Sequence, residues 1–547
     1  VYKQISKLIK DEVMKKYIKI TTLWVACMFI FSECDDKLDL APLGELNSET
    51  FYNNEEDFEA ASLAPYSTLQ NLYYDQNGLG WFNGIMYPSD DVRNPQGNNN
   101  EEEFIWLPNN GDFGFLWDTA YKGIMRSNVV IERLAEAEAF SDDANKARFE
   151  AEARFIRAYF NFILARNFGN APVVESVITT IEETRVANSQ PGEIWDLIES
   201  DLEYAVNNLP DSYNAENTGR ATRYAALALL GKAELFRAQW FGDDGKYNEA
   251  IEHFNEVVNS GQYVLVDDFG ANFSEEAENN EESIFEIQMT RGDFNPWLPN
   301  DFGLAGNQNV GAAGTGRKIF TGAGCFNGNC APGGNVNGYG RVHITSSLRD
   351  EFEENDPRIF HTYYREGEDY AGEPYDPAWS ITGATPAKYL RPFVAAGFPP
   401  NISTNNERVI RYSDVLLMLA EAELLGNGNV ARAAELINQV RERARNNYEI
   451  IYEEPAPEGL LPDRPASVSP DQMHEWLRHE RRVELALEVH RYDDLVRWHR
   501  AGIINIPTDV DFGNTLANQN WEERHLLKPI PQGEIDNNPN LDQNPGY

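Results

Sequence analysis

The stretch Glu480-Arg-Arg-Val-Glu-Leu-Ala-Leu-Glu-Val-His-Arg-Tyr-Asp-Asp-Leu-Val-Arg-Trp498 and the tail Leu527-Lys-Pro-Ile-Pro-Gln-Gly-Glu-Ile-Asp-Asn-Asn-Pro-Asn-Leu-Asp-Gln-Asn-Pro-Gly-Tyr547 decide the fold. The first reads as the end of an Arg/Glu-laced helix over 470–498. The second is too rich in Pro, Asn and Gly to be read as helix or strand. Yet it carries Ile530, Ile535, Leu541 and Tyr547, apolar anchors that a disordered tail would lack. It is expected to end in turns docked on the body of the protein.

Upstream, helical patterns cover roughly 55–74, 117–138, 142–168, 195–209, 222–240, 247–259, 412–425 and 430–445. Residues 75–116 and 262–400 read mostly as loop, with a short strand near 283–289. The helices carry an internal repeat. Ala228-Leu-Leu-Gly-Lys-Ala-Glu-Leu-Phe236 precedes Gly245-Lys-Tyr-Asn-Glu-Ala-Ile-Glu-His-Phe254, and Leu416–Leu425 precedes Asn427–Asn438 in the same way. Small residues at Gly231 and Ala250 permit close approach, while Tyr247, Ile251 and Phe254 form an apolar stripe. This is the tetratricopeptide pattern, helical pairs that stack into a curved scaffold. Degenerate copies fit 155–168 with 195–206, and 66–73 with 117–131. The fold class expected is therefore all-α, a tetratricopeptide-like solenoid with long loop insertions and minor β.

Composition narrows the function. The 547 residues carry 88 acidic and 46 basic side chains, a formal net charge of −42. Such a surface repels nucleic acid, whose phosphates need basic partners, and gives no basic patch for anionic lipid. Near the start, Met14-Lys-Lys-Tyr-Ile-Lys19 is a positive segment and Thr21–Phe31 is apolar but short for a membrane span. Cys34 follows, then Asp35, Asp36 and Lys37. This reads as a lipoprotein signal cleaved before Cys34, with Cys27 as the rival site. Residues 1–13 read as an over-extended start, 1–33 as start plus signal, 34–50 as lipidated tether, and 51–547 as a single domain. In the expected mature chain only Cys325 and Cys330 remain, in a Gly-rich loop where export favours a small disulfide.

Catalytic signatures are lacking. There is no H-E-x-x-H, and His474 and His479, five apart, do not share a helix face. Gly311–Lys318 puts Arg317 and Lys318 where a phosphate loop needs Lys and Ser/Thr. There is no G-x-S-x-G elbow and no EF-hand loop. Paired carboxylates such as Asp90-Asp91 and Asp493-Asp494 are common in so acidic a chain and do not indicate a glycosidase. The sequence points to binding, with no enzyme activity, no cofactor and no metal expected.

Nine ordered motifs resemble the SusD/RagB family of surface nutrient-binding lipoproteins. They are Leu38–Gly44; Phe51–Phe58 with Pro65-Tyr66; Trp117, Tyr121, Ile124 and Asn128; Ala153–Phe160 with Phe168-Gly169 and Pro172-Val173; Arg220, Thr222 and Ala225-Ala226; Arg411–Ala422; the Glu480-Arg-Arg helix; Pro529-Ile-Pro531; and Gln543–Tyr547. The resemblance implies an all-α lipoprotein on the outer face of the outer membrane, without enzymatic activity. It implies a lid over a TonB-dependent transporter of the SusC type, to which it delivers glycans or, in some branches, peptides. A tetratricopeptide scaffold for protein partners is the alternative reading. Arg154, Arg157, Arg411, Glu480, Arg481 and Glu484 are expected to form ion pairs between helices.

Sugar recognition uses flat aromatic faces with carboxylates and Arg for the hydroxyls, on loops free of core duty. Two loop regions fit, and the resemblance places the family's ligand contacts in the same two. The first holds Trp81, Tyr87, Asp90, Asp91, Arg93 and Trp106. The second holds Arg291, Phe294 and Trp297. Tyr375 and Trp379 form a weaker third candidate. Trp106 has an equal claim to the core. Trp117, Trp195, Trp240, Trp476 and Trp498 are expected to be core residues of amphipathic helices.

Overall fold

The computed structural model describes residues 51–52, 54–73, 82–95, 100–137, 140, 142–289, 325–326, 329–331, 340–391 and 405–547. The chain divides into Val1–Asp57 and Phe58–Tyr547. In the first unit, Asn54 Oδ1 accepts from the Asp57 amide at 3.0 Å, at the start of helix α1 (Glu55–Tyr73).

The further long helices come in two runs. The first is α2 (Gly111–Glu136), α3 (Asp143–Phe168), α4 (Glu193–Asn208), α5 (Arg223–Phe241) and α6 (Gly245–Asn259). The second begins with α9 (Tyr412–Asn427) and α10 (Val430–Tyr452), after two short helices, α7 (Ser346–Glu351) and α8 (Arg358–Thr362). Neighbours in sequence pack as neighbours in space: α2 on α3, α3 on α4, α4 on α5, α5 on α6 and α9 on α10, while α6 against α9 joins the two runs. The stacking demands small residues where backbones approach. A Cβ on Gly231 would stand 2.8 Å from the Phe254 ring, and one on Gly123 only 2.1 Å from the ring of Phe160. The expected pairing of α1 with α2 is made through side chains: Arg126 donates to Ser67 Oγ at 2.8 Å and Thr68 Oγ1 at 3.0 Å.

Sheet is scarce among the described residues. β1 (Val92–Arg93) pairs with β5 (His343–Ile344), β2 (Ser283–Ile287) with β8 (Glu407–Arg411), β3 (Cys325–Phe326) with β4 (Asn329–Cys330), and β6 (Asp369–Tyr370) with β7 (Glu373–Pro374), all antiparallel. No helix among the described residues is long and apolar enough to cross a membrane.

Three elements differ from expectation. Helix α2 begins at Gly111 rather than Trp117, because the Asn110 side chain accepts from the Asp112 and Phe113 amides and caps the extra turns. The tail contains a six-residue helix, Gln532–Asn537, opened by Pro531, whose fixed φ suits a helix start. The predicted helix over 470–498 is two helices, α11 (Pro470–Leu485) and α12 (Arg491–Arg500). Between them Leu487 and Val489 take φ of 66° and 65°, a region that a β-branched residue rarely enters. The break turns the Glu488 carboxylate inward, where it accepts from Lys388 Nζ at 2.9 Å and Arg411 Nε at 2.7 Å. These charge-assisted bonds hold the strained turn in place.

The rest of the tail docks as expected. Ile530 and Leu541 are buried, and Asn544 Nδ2 donates to the Phe168 carbonyl at 3.1 Å and the Lys528 carbonyl at 2.7 Å.

Around the break lies a buried ionic core. Arg411 meets Glu282, Glu484 and Glu488; Arg443 meets Glu282 and Glu484; Arg358 meets Asp356, Glu480 and Glu484; Arg441 meets Glu480. Next to it, Arg481 bridges Asp414 (2.9 Å) and Asp494 (3.1 Å). A separate group joins Arg157 and Arg154 to Asp201. The six ion-pair residues expected from sequence all take part.

Removing one partner of a buried pair leaves an unpaired charge, which costs about 3–5 kcal/mol. In Arg481→Ala, Asp414 keeps Lys232 and Asp494 keeps Arg497, so the substitution is expected to lower unfolding free energy by about 3 kcal/mol, the low end of that range, in a denaturant titration. A midpoint equal to wild type would contradict it.

Candidate ligand-binding site

Strands fix both loop regions singled out in the sequence: β1 lies within the first, and β2, β5 and β8 flank the second. In the first, Phe82–Met86 forms a short π-helical turn directly after Trp81. Tyr87 follows, buried, its hydroxyl donating to the Arg341 carbonyl at 3.0 Å. Asp90 accepts from Arg491 at 2.7 and 2.9 Å, and Asp91 accepts from Arg482 Nε at 3.0 Å. Thr345 Oγ1 donates to the Asp90 carbonyl at 2.7 Å, just before β1 pairs with β5. The segment 82–93 is thus tied both to α11–α12 and to the segment 340–345, where the second loop region ends.

The start of that second region is fixed in the same manner. β2 pairs with β8, the Met289 amide donates to Asn406 Oδ1 at 2.7 Å, and Asn406 Nδ2 donates to Glu286 at 2.9 Å. Arg411 at the end of β8 enters the ionic core.

Burial and the charged partners around each group oppose one another here. It pushes the Asp90 carboxyl up, but the guanidiniums of Arg482 and Arg491 outweigh it and hold the group down at about 2. The neighbouring Asp91 is moved the other way, upward, by burial and by the charge of Asp90 against the pull of Arg482. Burial lowers His479, but its hydrogen bonds to Glu351 (2.8 Å) and Glu353 (3.2 Å) carry it up to about 9. Glu351 is raised by burial and lowered more strongly by His479 and Arg482, to about 2.

These placements correct several sequence expectations. Asp90 and Asp91 are spent on Arg482 and Arg491 and do not present free carboxylates. Arg93 is spent on Glu102 and on the Gly513 carbonyl at 2.7 Å. Trp106, 1% exposed, lies in the core against Phe104, Phe113 and His525, its Nε1 donating to the Glu101 carbonyl at 3.0 Å. Tyr87, 2% exposed, has no free face. Tyr375 and Trp379 are packed with Tyr364 and Tyr370 in a small aromatic core. Trp81, Arg291, Phe294 and Trp297 lie outside the described residues, as does Cys34. The backbone register sets Cys325 opposite Cys330.

Of the helical tryptophans, Trp117, Trp195 and Trp498 are buried as expected. Trp476 is half-buried, with Arg464 over its ring at 5.1 Å. It flanks a cleft of about 490 Å³ whose wall includes Asp90, Arg478, Arg482 and Arg491. A search confined to loops could not find these helix-borne groups. Among the described residues no cluster of His, Cys, Asp and Glu could hold a metal ion.

The chain is thus a helical-repeat scaffold whose loop bases are tied down by buried ion pairs and strand pairing. Two family models match the chain: residues 281–547 match the SusD family, and residues 82–235 match a family described as starch-binding associating with outer membrane. The chain belongs to the SusD/RagB family. It is similar to SusD-like protein P25 of Formosa agariphila, 27% identical over 96% of this chain and 98% of that one. It resembles the solved structure of a laminarin-binding SusD-like protein (26% identical, TM-score 0.70, covering 91% of this chain and 100% of that one). It also resembles surface glycan-binding protein A of Bacteroides fluxus (25%, TM-score 0.69, 90% and 99%).

The raised pKa of His479 makes a signed prediction. Its ion pairs stabilise the fold fully below pH about 6.5 and lose that contribution as pH rises through about 9. Glu351 acts oppositely, its contribution present above pH about 4.5 and lost as pH falls toward about 2. The melting-temperature gap between wild type and His479→Gln should therefore be widest near pH 5–6 and close toward pH 9. A gap that does not change with pH would refute the pairing.

Proposed function

We propose that this protein is a non-catalytic glycan-binding lipoprotein of the cell surface, which captures oligo- or polysaccharide and passes it to a SusC-type TonB-dependent transporter. The observation that carries the reading is the anchoring of the two loop regions. The base of the first is fixed by ion pairs at Asp90, Asp91 and Arg93, and residues 340–345 are tied to it by the β1–β5 pairing and the Thr345 hydroxyl. An aromatic side chain on such a loop meets a sugar with less ordering entropy to lose. Family membership and the names of its similar proteins support glycan as cargo. The family description that includes the outer membrane supports the location, with Cys34 as the lipid-bearing residue. The register of Cys325 and Cys330 supports a disulfide closing the loop between them.

In this reading Trp81 and Trp297 carry the ligand face, one from each loop region. Arg291 and Phe294 stand beside the second. Tyr87, Asp90, Asp91, Arg93 and Trp106 hold the platform rather than the sugar. Transport needs no catalytic group on this chain, since the bound glycan leaves unchanged.

Affinity electrophoresis through gels containing laminarin or starch tests this. The wild type should be retarded by at least one glycan. Trp81→Ala combined with Trp297→Ala should abolish retardation with no loss of melting temperature, since stacking on two aromatic faces supplies much of the affinity for a sugar. Retardation that survives the double substitution would remove both residues from the site, and release of reducing sugar by the purified protein would overturn the non-catalytic reading.

A further inference from the structure

The cleft of about 490 Å³ between α11 and the start of α12 holds a guanidinium that no described residue engages by hydrogen bond or ion pair. Its wall contains three guanidiniums from these two helices. Arg491 is engaged by both oxygens of Asp90. Arg482 reaches Asp90 (2.9 Å), Asp91 (3.0 Å) and Glu351 (3.1 Å). Arg478 is the exception. Its Nε is buried without a hydrogen-bond partner, and among the described residues its guanidinium has no ion-pair or hydrogen-bond partner.

The acidic groups near Arg478 do not fill that role. Glu475 is exposed on the same helix and accepts from Gln472 at 3.0 Å. Asp509 accepts from the Asn505 amide and Thr508 hydroxyl, both at 2.8 Å, and Asp511 accepts from the Gly513 amide at 2.9 Å and Asn518 at 2.8 Å. These carboxylates sit at the solvent-exposed rim, where water screens them. Burial pushes Arg478 below its usual range, and the charge of Arg491 pushes it the same way. A planar guanidinium with its donors unspent is matched best by a ligand that offers two acceptor oxygens in one plane or face.

We propose that this cleft is a subsite for an acidic sugar unit, in which Arg478 binds the carboxylate or sulfate ester directly. The proposal rests on the glycan-binding reading and narrows it to a charged cargo. Arg482 and Arg491, already paired, form the back wall, and Asp90 joins the cleft to the loop region that begins at Trp81. The half-buried indole of Trp476 flanks the opening. A neutral glycan would leave the Arg478 donors facing hydroxyls, which are weaker acceptors than an anionic oxygen.

Isothermal titration of the full mature chain with tri-galacturonate, a sulfated galactose trisaccharide and neutral laminaritriose tests this, in parallel with Arg478→Gln. Because Arg478 holds no ion pair in the fold, Arg478→Gln should melt at the wild-type temperature. At least one acidic probe should bind the wild type and bind Arg478→Gln about tenfold more weakly, the loss expected of one charge-assisted contact. Stronger binding of the galacturonate assigns a carboxylate cargo, and stronger binding of the sulfated sugar assigns a sulfate ester. Equal affinity in wild type and Arg478→Gln, or no binding of either acidic probe, would overturn the subsite. If laminaritriose or laminarin is still bound in that event, the glycan reading stands without it. If no glycan is bound at all, that reading falls as well.

Discussion

The fold depends on carboxylates that have been taken out of water and matched one by one to guanidiniums. Glu282, Glu480, Glu484 and Glu488 are all buried, and each has at least one Arg within ion-pair distance. Desolvation opposes every one of these charges, yet the Glu484 and Glu488 carboxyls are held well down by the surrounding Arg411, Arg443, Arg358 and Lys388. Such a network is weak evidence of net stability, since a hydrophobic core of equal volume does as well. What it supplies is geometry. A guanidinium shared by three carboxylates, from the residue before β2, from α11 and from the turn after it, has one arrangement that satisfies all of them, and that arrangement fixes where two strands and two helices meet.

The turn between α11 and α12 is the clearest consequence. Continuing the helix would carry Glu488 around the axis, out of reach of Lys388 and Arg411. The chain instead places Leu487 and Val489 at positive φ and turns Glu488 inward. Backbone strain of this kind costs roughly 1–3 kcal/mol per residue, and it persists only where the surroundings outweigh it. Here the surroundings are two charge-assisted bonds from Arg411 and one from Lys388. The same break aims Arg491 at Asp90, so one local departure from helix both completes the ionic core and anchors the first loop.

Much of the scaffold was legible in the sequence because repeats report themselves locally. Tyr247, Ile251 and Phe254 need only their own spacing to declare a helix face, and Gly231 only its small size to declare a contact. The site was far less legible. Asp90 and Asp91 look like free loop carboxylates until Arg482 and Arg491, some four hundred residues later, are seen to close on them. Trp106 sits among loop-forming residues, but its ring is surrounded by Phe104, Phe113 and His525. Helical periodicity also misled at 470–498, since nothing in the spacing of Val483 and Leu487 reports that Glu488 has a partner on β8. In each case the deciding partner is distant in sequence, and a local reading has no term for it.

The same logic bears on how a scaffold like this can change its ligand. Among the described residues, the ionic core and the hydrogen bonds that extend it meet the loops at their bases, in 87–93, 340–345 and 405–411. A substitution that removes no buried partner escapes the several-kcal/mol penalty of an orphaned charge and behaves as an ordinary surface change. In the proposed reading, stability and specificity are carried by separate residues: Arg and Glu of the buried core, and the aromatic and polar groups proposed to meet the ligand. Arg478 is the point where the two meet. It belongs to the helix that supplies the core with Glu480, Arg481 and Glu484, yet it alone among those neighbours turns an unmatched charge toward the cleft.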